Sequence, residues 1–490
     1  MYILAGEHNV PQKFLFSTAL ISASLANLAP AYADFTPTEA LERYFETAEA
    51  LGSAVSVNQK ENFSGTVRWS GIVITDTSSG SRSTMDWLEV SPVDPDTVRV
   101  LIGPRVTVEA RDPGNERPVT VFDIDMLNNQ VIMTEEGVRL NASYSGDKIT
   151  LTSVASYPDM PLDMNVTISE LLAAYAFEGE TYVEGSASSG EMEITYGLED
   201  GEIAFSSDTS IASLNMSFSS DIPQDADYSG FLDGKQNGTV TYMFNDMSSR
   251  TSFNDGEGGA GWIRSVVDLS TGTFALRDGA FALLGEAQGI AYTGQPPLPG
   301  FPELSASLAS ATMNMSMTFG KAGELAPMAL AMSMEDLVLD EAIWGMFDPT
   351  GAIPRQPATL RIDLGAEALW MSDSFGTALQ NEQPPFIPQS MELRDLFLTF
   401  GGASFAATGE GILSAQTGQP SGTAQMELNG VLSLIDTLSQ IGLIPVAQAM
   451  MARGMLPQFT RPGPDGPDHL ISDIEAMPDG SIFVNGTRVK

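Results

Sequence analysis

Cysteine is absent from the 490 residues, and histidine nearly so, with two in the whole chain. Without Cys there is no disulfide, no thiolate metal site and no thiol nucleophile, so burial alone must hold the fold. Of the two His, His8 falls in an N-terminal export segment, leaving His469 as the single imidazole of the mature chain. Ser-His-Asp triads, His-paired nucleophiles and multi-His zinc sites all need imidazole at a set place, so the commoner hydrolytic and zinc chemistries lack their equipment. Lysine is scarce too, at six of the 23 basic residues. Against them stand 63 Asp and Glu, for a formal charge of −40. Such a surface repels phosphates and anionic lipid headgroups at long range, within the limits of salt screening. It excludes nucleic acid as a partner, because affinity there rests on Lys and Arg neutralising phosphates. The plain reading of the charge is solubility in a saline exterior. A hydrophobic fraction of 43% is near the globular norm and argues for packed structure rather than wholesale disorder.

Long apolar runs are missing after the N-terminus, so no later segment is expected to span a bilayer. At the N-terminus, Lys13 precedes Phe14-Leu15-Phe16, Ala19-Leu20-Ile21, Leu25 and Leu28, and Ala31-Tyr32-Ala33 follows with Asp34 after it. A basic residue, a short apolar segment and an A-x-A ending are the three parts of a secretory signal peptide. The expectation is a signal peptide over 1–33, cleaved after Ala33, and a mature chain in the periplasm of a Gram-negative bacterium. An uncleaved membrane anchor is the alternative reading of the same segment.

The mature chain opens with a helix. Thr36-Pro37-Thr38-Glu39 is a capping box with Pro37 at the first helical position. Leu41, Tyr44, Phe45, Ala48 and Leu51 recur at helical spacing, and Gly52 supplies the stop. The period then changes to two: Val67, Trp69, Gly71 and Val73 form one face, alternating with Arg68, Ser70 and Ile72. Hairpin dipeptides recur at Asp200-Gly201, Asn237-Gly238, Asp278-Gly279 and Asn485-Gly486, between or beside alternating stretches.

A Pro-rich segment, 295–302, divides the chain into a β-rich region over 34–294 with a leading helix and a second β-rich region over 303–490. In the second region, Met313, Met315, Met317 and Phe319 alternate with Thr312, Asn314, Ser316 and Thr318. A weak repeat follows: Met332, Met334, Leu337 and Leu339 reappear as Met391, Leu393, Leu396 and Leu398, around Asp336-Leu337 and Asp395-Leu396. In both copies the alternation slips by one residue, as a β-bulge would make it do. Val431 to Leu456 reads as a helical hairpin, interrupted at Gly442 and restarted at Pro445, that covers one end or face of the sheet. The predicted class is mainly β (α+β): large twisted antiparallel sheets with repeated β units, an N-terminal helix and a C-terminal helical hairpin.

Several C-terminal stretches resemble a known family: 342–349 (Ala-Ile-Trp-Gly-Met-Phe-Asp-Pro), 353–360, 441–445, 450–453, 459–463 and 479–486. They resemble domain-of-unknown-function family 2125, exported proteins found mainly in alphaproteobacteria. The similarity is strong at the C-terminus and loose between 34 and 300. The family has no established catalytic residues, so the resemblance carries none over. A more distant likeness, in pattern only, is to the AsmA-like envelope proteins, whose repeated β units form elongated apolar grooves; architecture of that kind does not fix function.

Candidate chemistry is thin. Glu191 and Glu193 alternate, about 7 Å apart along a strand, within the range of an inverting glycosidase pair. With so many acidic residues such pairs arise by chance, and the solvated reading is preferred. Ser145-Gly146-Asp147-Lys148 fits S-x-x-K without its accompanying K-T-G and reads as a hairpin loop. The Gly-rich stretch from Asp255 to Gly261 resembles a calcium repeat in composition alone and reads as a loop. Trp344, beside Asp348-Pro349, reads as a buried aromatic anchoring a loop. No catalytic, cofactor-binding or metal-binding residues are assigned, and no cofactor is expected. The Met stripe is the feature left open: Met suits irregular packing and also promiscuous apolar binding. The sequence therefore points to a non-enzymatic envelope protein that binds or shuttles an acyl-chain ligand in a β groove. The alternatives are an envelope scaffold acting through protein partners and, third, a carboxylate-dependent polysaccharide hydrolase.

Overall fold

The computed structural model describes residues 36–50, 53–77, 79–111, 120–155, 162–178, 181–200, 203–221, 236–254, 256, 259–298, 300–375, 378, 383–413 and 419–490. Residues 1–33, expected to be a signal peptide, and Leu51 and Gly52 at the expected end of the first helix, lie outside them. The described residues form 25 strands, all joined in antiparallel pairs, with a few short helices. The mainly β class read from the sequence is the class observed. Two compact units divide the chain: one holds Met1–Asp227 with Ser249–Ala260, the other Tyr228–Ser248 with Gly261–Lys490.

The first unit begins with α1 (Pro37–Ala50). Its capping box forms as the sequence implies: the Thr36 N–H donates to Glu39 Oε2 at 3.1 Å, and the Glu39 N–H donates to Thr36 Oγ1 at 3.3 Å. The strands follow as β1 (Ser53–Phe63), β2 (Thr66–Asp76), β3 (Arg82–Asp94), β4 (Thr97–Ile102), β5 (Arg105–Ala110), β6 (Thr120–Leu127), β7 (Gln130–Glu136), β8 (Arg139–Ala155), β9 (Leu162–Glu178), β10 (Tyr182–Ser189), β11 (Met192–Asp200) and β12 (Ile203–Asp221). Long strands pair with two short ones end to end: β3 holds β4 and β5, β8 holds β6 and β7, and β9 holds β10 and β11. Phe45 of α1 stacks on Trp69 of β2 at 5.1 Å between ring centroids, with the planes 8° apart. The helix packs against β1, β2 and β3. Val98, Val106, Met133 and Leu140, on strands that α1 does not pack against, are nonetheless almost wholly buried. The sheet must curl to cover them itself, the usual consequence of accumulated strand twist.

One alternation in β2 departs from expectation. Val67 and Trp69 point into the core, but the next buried residue is Ile72, at 0% exposure, and not Val73. Gly71 takes φ 63°, where a Cβ would sit 2.5 Å from Asn58 Nδ2. A left-handed residue in mid-strand turns the following side chains over, so the faces exchange at Gly71.

The chain passes on through β13 (Gly238–Asn254). The second unit continues as β14 (Ala260–Arg277), β15 (Ala280–Gln295), β16 (Leu304–Thr318), β17 (Leu325–Leu339), β18 (Ala358–Trp370), β19 (Phe386–Phe400), β20 (Ala403–Leu413) and β21 (Pro420–Asn429), then β22 (Arg461–Gly463), β23 (Gly466–Ala476), β24 (Ile482–Val484) and β25 (Thr487–Arg488). From β14 to β21 each strand pairs with the next, an up-and-down meander, and β21 then pairs with β23. Asp278 (φ 50°) and Gly279 (φ 73°) close β14–β15, and Asn485 (φ 49°) and Gly486 (φ 79°) close β24–β25. Both are the paired positive-φ turns that the dipeptides predict. The Pro-rich segment 295–302, read as a divider, connects β15 to β16, two strands paired along their length.

Among the described residues, α2 (Glu341–Phe347) follows β17, and α3 (Val431–Gln440) and α4 (Val446–Phe459) follow β21. Gly442, at φ 80°, ends α3 and Pro445 caps α4, as their positions in the sequence suggest. The expected cover over the sheet is partial. α3 packs against β20 and β23, while α4 packs on α3 and buries only Ala449.

Candidate functional site

Residues directly opposed in an antiparallel pair project to the same side of the sheet, so the register assigns each face. Met313 opposes Met332, Met315 opposes Leu330, and Met317 opposes Met328. The row continues to Ile362, Leu364 and Ala366 on β18, then to Leu396, Leu393 and Met391 on β19. In the other direction Met315 and Met317 oppose Leu283 and Phe281, which oppose Phe274 and Leu276. One apolar face thus crosses six strands, β14 to β19.

Both sequence slips serve this face. Met334 and Leu337 oppose Leu360 and Ala358, so β17 carries one residue more than β18. Leu393 and Leu396 oppose Gly409 and Ala407, and β19 carries the extra residue there. A strand without the extra residue would send Leu337 and Leu396 to the opposite side. Asp336 accommodates the first bulge at φ 57°.

The face is not sealed. Phe274, Met313, Met332, Met334, Met391 and Leu398 are 37–54% exposed, while Met315, Met317, Leu330, Ile362 and Leu364 are half-buried. Six strands span roughly 24 Å and seven residues along a strand about 20 Å. The resulting patch, on the order of 500 Å², is at the upper end for a solitary soluble chain and of the size that marks interaction sites.

The reverse side is acidic. Asp363 opposes Asp395 and Glu392 opposes Glu410. Arg394 lies among them, its Nε 2.9 Å from Glu392 Oε2 and its Nη1 3.5 Å from Asp363 Oδ1. The hydrogen bond and charge of Glu392, aided by Asp363, raise the Arg394 pKa above its ordinary value. Arg361 pairs with Asp395 at 3.3 Å and lies 4.4 Å over the Phe397 ring. A groove of about 790 Å³ is lined by Glu367, Glu392, Arg394 and Glu410 from this side, and by Met328 and Met391 as well. Met313, Met315 and Met317 do not line it.

Trp344 behaves as the expected anchor. It is buried, stacked on Phe400 at 5.8 Å, beside Phe347 at 5.0 Å, with the Arg355 guanidinium 4.4 Å over its ring. Asp348, wholly buried, closes the turn behind it. Its carboxylate accepts from the N–H groups of Ala352 (3.0 Å) and Ile353 (2.8 Å), from Thr350 Oγ1 (3.0 Å) and from Arg355 Nη1 (2.6 Å). Burial alone would raise the Asp348 pKa, but the bonds from Ile353, Arg355, Ala352 and Thr350 outweigh it and hold the carboxyl well below the ordinary range. This is a structural lock: every carboxylate contact goes to its own loop. The hub role was missed in the sequence, where Asp348-Pro349 signals only a turn.

The remaining candidates do not converge. Glu193 lies exposed on β11, and Glu191 precedes that strand, its carbonyl accepting from the Ser169 N–H and Oγ. Ser145-Gly146-Asp147-Lys148 is not a hairpin loop: it runs inside β8, paired with β9 at Ser145, Gly146 and Lys148. Gly146 is there because the Tyr144 hydroxyl occupies the space of a Cβ, at 2.6 Å. Asp255, Glu257 and Gly258 of the Gly-rich stretch lie outside the described residues. His469 is buried, its Nδ1 accepting from the Asp465 N–H at 3.3 Å, and its ring fills the space beside Gly463. Among the described residues, no group of three or more His, Asp and Glu is placed to hold a metal ion.

Residues 277–489 match the model of the DUF2125 family, described as an uncharacterized protein conserved in bacteria. The stretches that carry the resemblance all fall inside that span, which takes in the apolar face from Phe281 onward and the Asp348 lock. Residues before 277 lie outside the match. No curated protein matches the chain.

Proposed function

We propose that this chain, with its DUF2125 region, is a non-enzymatic protein of the bacterial cell envelope that binds an apolar ligand of the acyl-chain class along the Met-lined face of β14 to β19. The observation that carries the reading is that two bulges keep an uncovered apolar row in register over six strands. Met supplies six of the opposed positions on β16 and β17: Met313 and Met332, Met317 and Met328, Met315 across from Leu330, and Met334 across from Ala311. Such flexible, polarizable side chains suit a chain ligand of variable length and unsaturation. The acidic reverse side would repel free anions, so a ligand headgroup is expected to project away from it.

The test is detergent-free purification of the protein from the envelope of the bacterium that makes it, followed by lipid extraction and mass spectrometry. Stoichiometric acyl lipid in the wild type, lost in Met332→Glu, is the expected result. A clean wild-type preparation rejects the reading. A second reading, an envelope scaffold with a protein partner on the same face, is favoured by the breadth of the patch, which exceeds what one chain covers. Photo-crosslinking in cells from position 313 would then trap a defined protein in place of lipid.

A further inference from the structure

We propose that the α3–α4 hairpin is a membrane-docking element that seats its tip in the interface of an electrically neutral lipid bilayer. The inference does not rest on the acyl-chain reading of the sheet. α4 exposes an uncovered apolar arc: Val446, Met450, Met451 and Met455 are 64%, 70%, 59% and 48% exposed. At 100° per residue these four positions spread over about half of the helix circumference. An apolar arc of that width is ordinarily covered by protein or lipid, not left in water. Leu443, in the loop that joins α3 to α4 at the end away from the sheet, is exposed as well.

Charge selects the occupant. From Thr437 to Pro464 there is no Asp or Glu, in a chain that carries 63 of them. Between Val431 and Phe459 the charged residues are Asp436 and Arg453, which pair with each other, so the hairpin is neutral. A neutral apolar projection lets a polyanion approach a bilayer without charge repulsion at the point of contact. In dilute buffer a second copy is disfavoured by the −40 charge each copy brings. A protein partner ordinarily asks for about one hydrogen bond per 100–200 Å², and the exposed Val, Met and Leu side chains offer none. Lipid asks for none. α4 has 14 residues, about 21 Å of helix, and is too short to cross the roughly 30 Å hydrocarbon core. It therefore lies in the interface.

The base is built to bear such a load. Phe459 O, at the end of α4, accepts from Ser472 Oγ at 2.6 Å and from Asn485 Nδ2 at 3.2 Å. At the start of α3, the Asp468 carboxylate accepts from the N–H groups of Leu432 (2.8 Å) and Ser433 (3.0 Å). Both helix ends that meet the sheet are thus fixed, and the free end is the apolar one.

The test is flotation of the full chain with phosphatidylcholine vesicles, and with vesicles containing phosphatidylglycerol, at low and high salt. The wild type should float with phosphatidylcholine, less so with phosphatidylglycerol at low salt, with recovery as salt screens the repulsion. Met450→Glu combined with Met451→Glu should weaken flotation about tenfold or more at an unchanged melting temperature, since both side chains are exposed. Met332→Glu on the sheet should float as the wild type does, which separates this proposal from the acyl-chain reading. Failure of the wild type to float overturns the proposal, as does undiminished flotation of the double variant. A concentration-dependent dimer that the double variant abolishes, without vesicle binding, assigns the patch to a second copy and overturns it equally.

Discussion

Replacing Trp344 by alanine tests whether the second unit is held by the lock behind α2. The ring is buried and touches Phe400, Phe347 and the Arg355 guanidinium. A buried Trp removes roughly 200 Å² from water, which at about 25 cal/mol per Å² is about 5 kcal/mol. Measured aromatic-to-alanine changes in cores run at about 3–5 kcal/mol, because neighbours relax only in part. In a unit of this size each kcal/mol moves the melting temperature by about 2–4 °C, so a fall of roughly 6–20 °C is expected. Differential scanning calorimetry of the full chain reads it, with Met346→Ala as the control. Met346 lies two residues away on the same helix but is half exposed, and its loss should stay within about 0.5 kcal/mol. Trp344→Phe should fall between, because it keeps an aromatic face beneath Arg355. A shift for Trp344→Ala no larger than that of Met346→Ala would refute the packing on which the argument rests.

Asp348 adds a pH signature. Its folded pKa is depressed, so its contribution is present above the unfolded value of ~3.9 and is lost as pH falls through the folded pKa. Asp348→Asn should melt lower than the wild type at neutral pH, with the two curves converging below ~3.9; a constant gap across the acid range would reject the charge assignment. Tyr144 has the opposite sign in the first unit. Burial, and secondarily Tyr175, push its pKa from 10.0 up to about 12, so its contribution is intact below 10.0 and lost as pH climbs to about 12. Melting temperatures of wild type and Tyr144→Phe should therefore diverge only in that alkaline window, and parallel curves there would show that the phenol is not buried.

Much of the second unit was legible because its alternation is regular and its turns use dipeptides with one conformational outcome. Asp278-Gly279 and Asn485-Gly486 are such turns, and both register slips were visible as one-residue breaks around Asp336 and Asp395. What failed was alternation through a hidden kink. Gly71 looks like any small residue on a strand, and only the close approach of Asn58 shows why it takes a positive φ and hands burial to Ile72. Gly146 misled in the other direction: a Gly-Asp pair suggests a turn, but here the glycine makes room for Tyr144 inside a continuous strand. The apolar face was readable as a Met stripe, but its exposure was not, because periodicity reports a shared side and is silent on what covers it. The same holds for the Asp348 hub, half of whose donors are backbone N–H groups.

The two sides of the second unit bear on how an open apolar face stays in solution. Its reverse carries Asp363, Asp395, Glu392 and Glu410 in directly opposed pairs, which cost stability as like charges unless bridged. Arg361 and Arg394 bridge part of that set. Two copies stacked apolar side to apolar side would be about 10 Å apart, with their acidic sides about 20 Å apart. At physiological salt the screening length is about 8 Å, so that repulsion is largely lost; in dilute buffer, at about 30 Å, it persists. Charge therefore protects the face in the test tube at low salt but not at physiological salt. There, an apolar patch on the order of 500 Å² needs a resident cover to avoid pairing with its own kind. Protein refolded from denaturant and kept in dilute buffer would leave the face bare and soluble for reasons unrelated to its role. Only material taken from the cells that make it, at physiological salt and without detergent, retains whatever covers it.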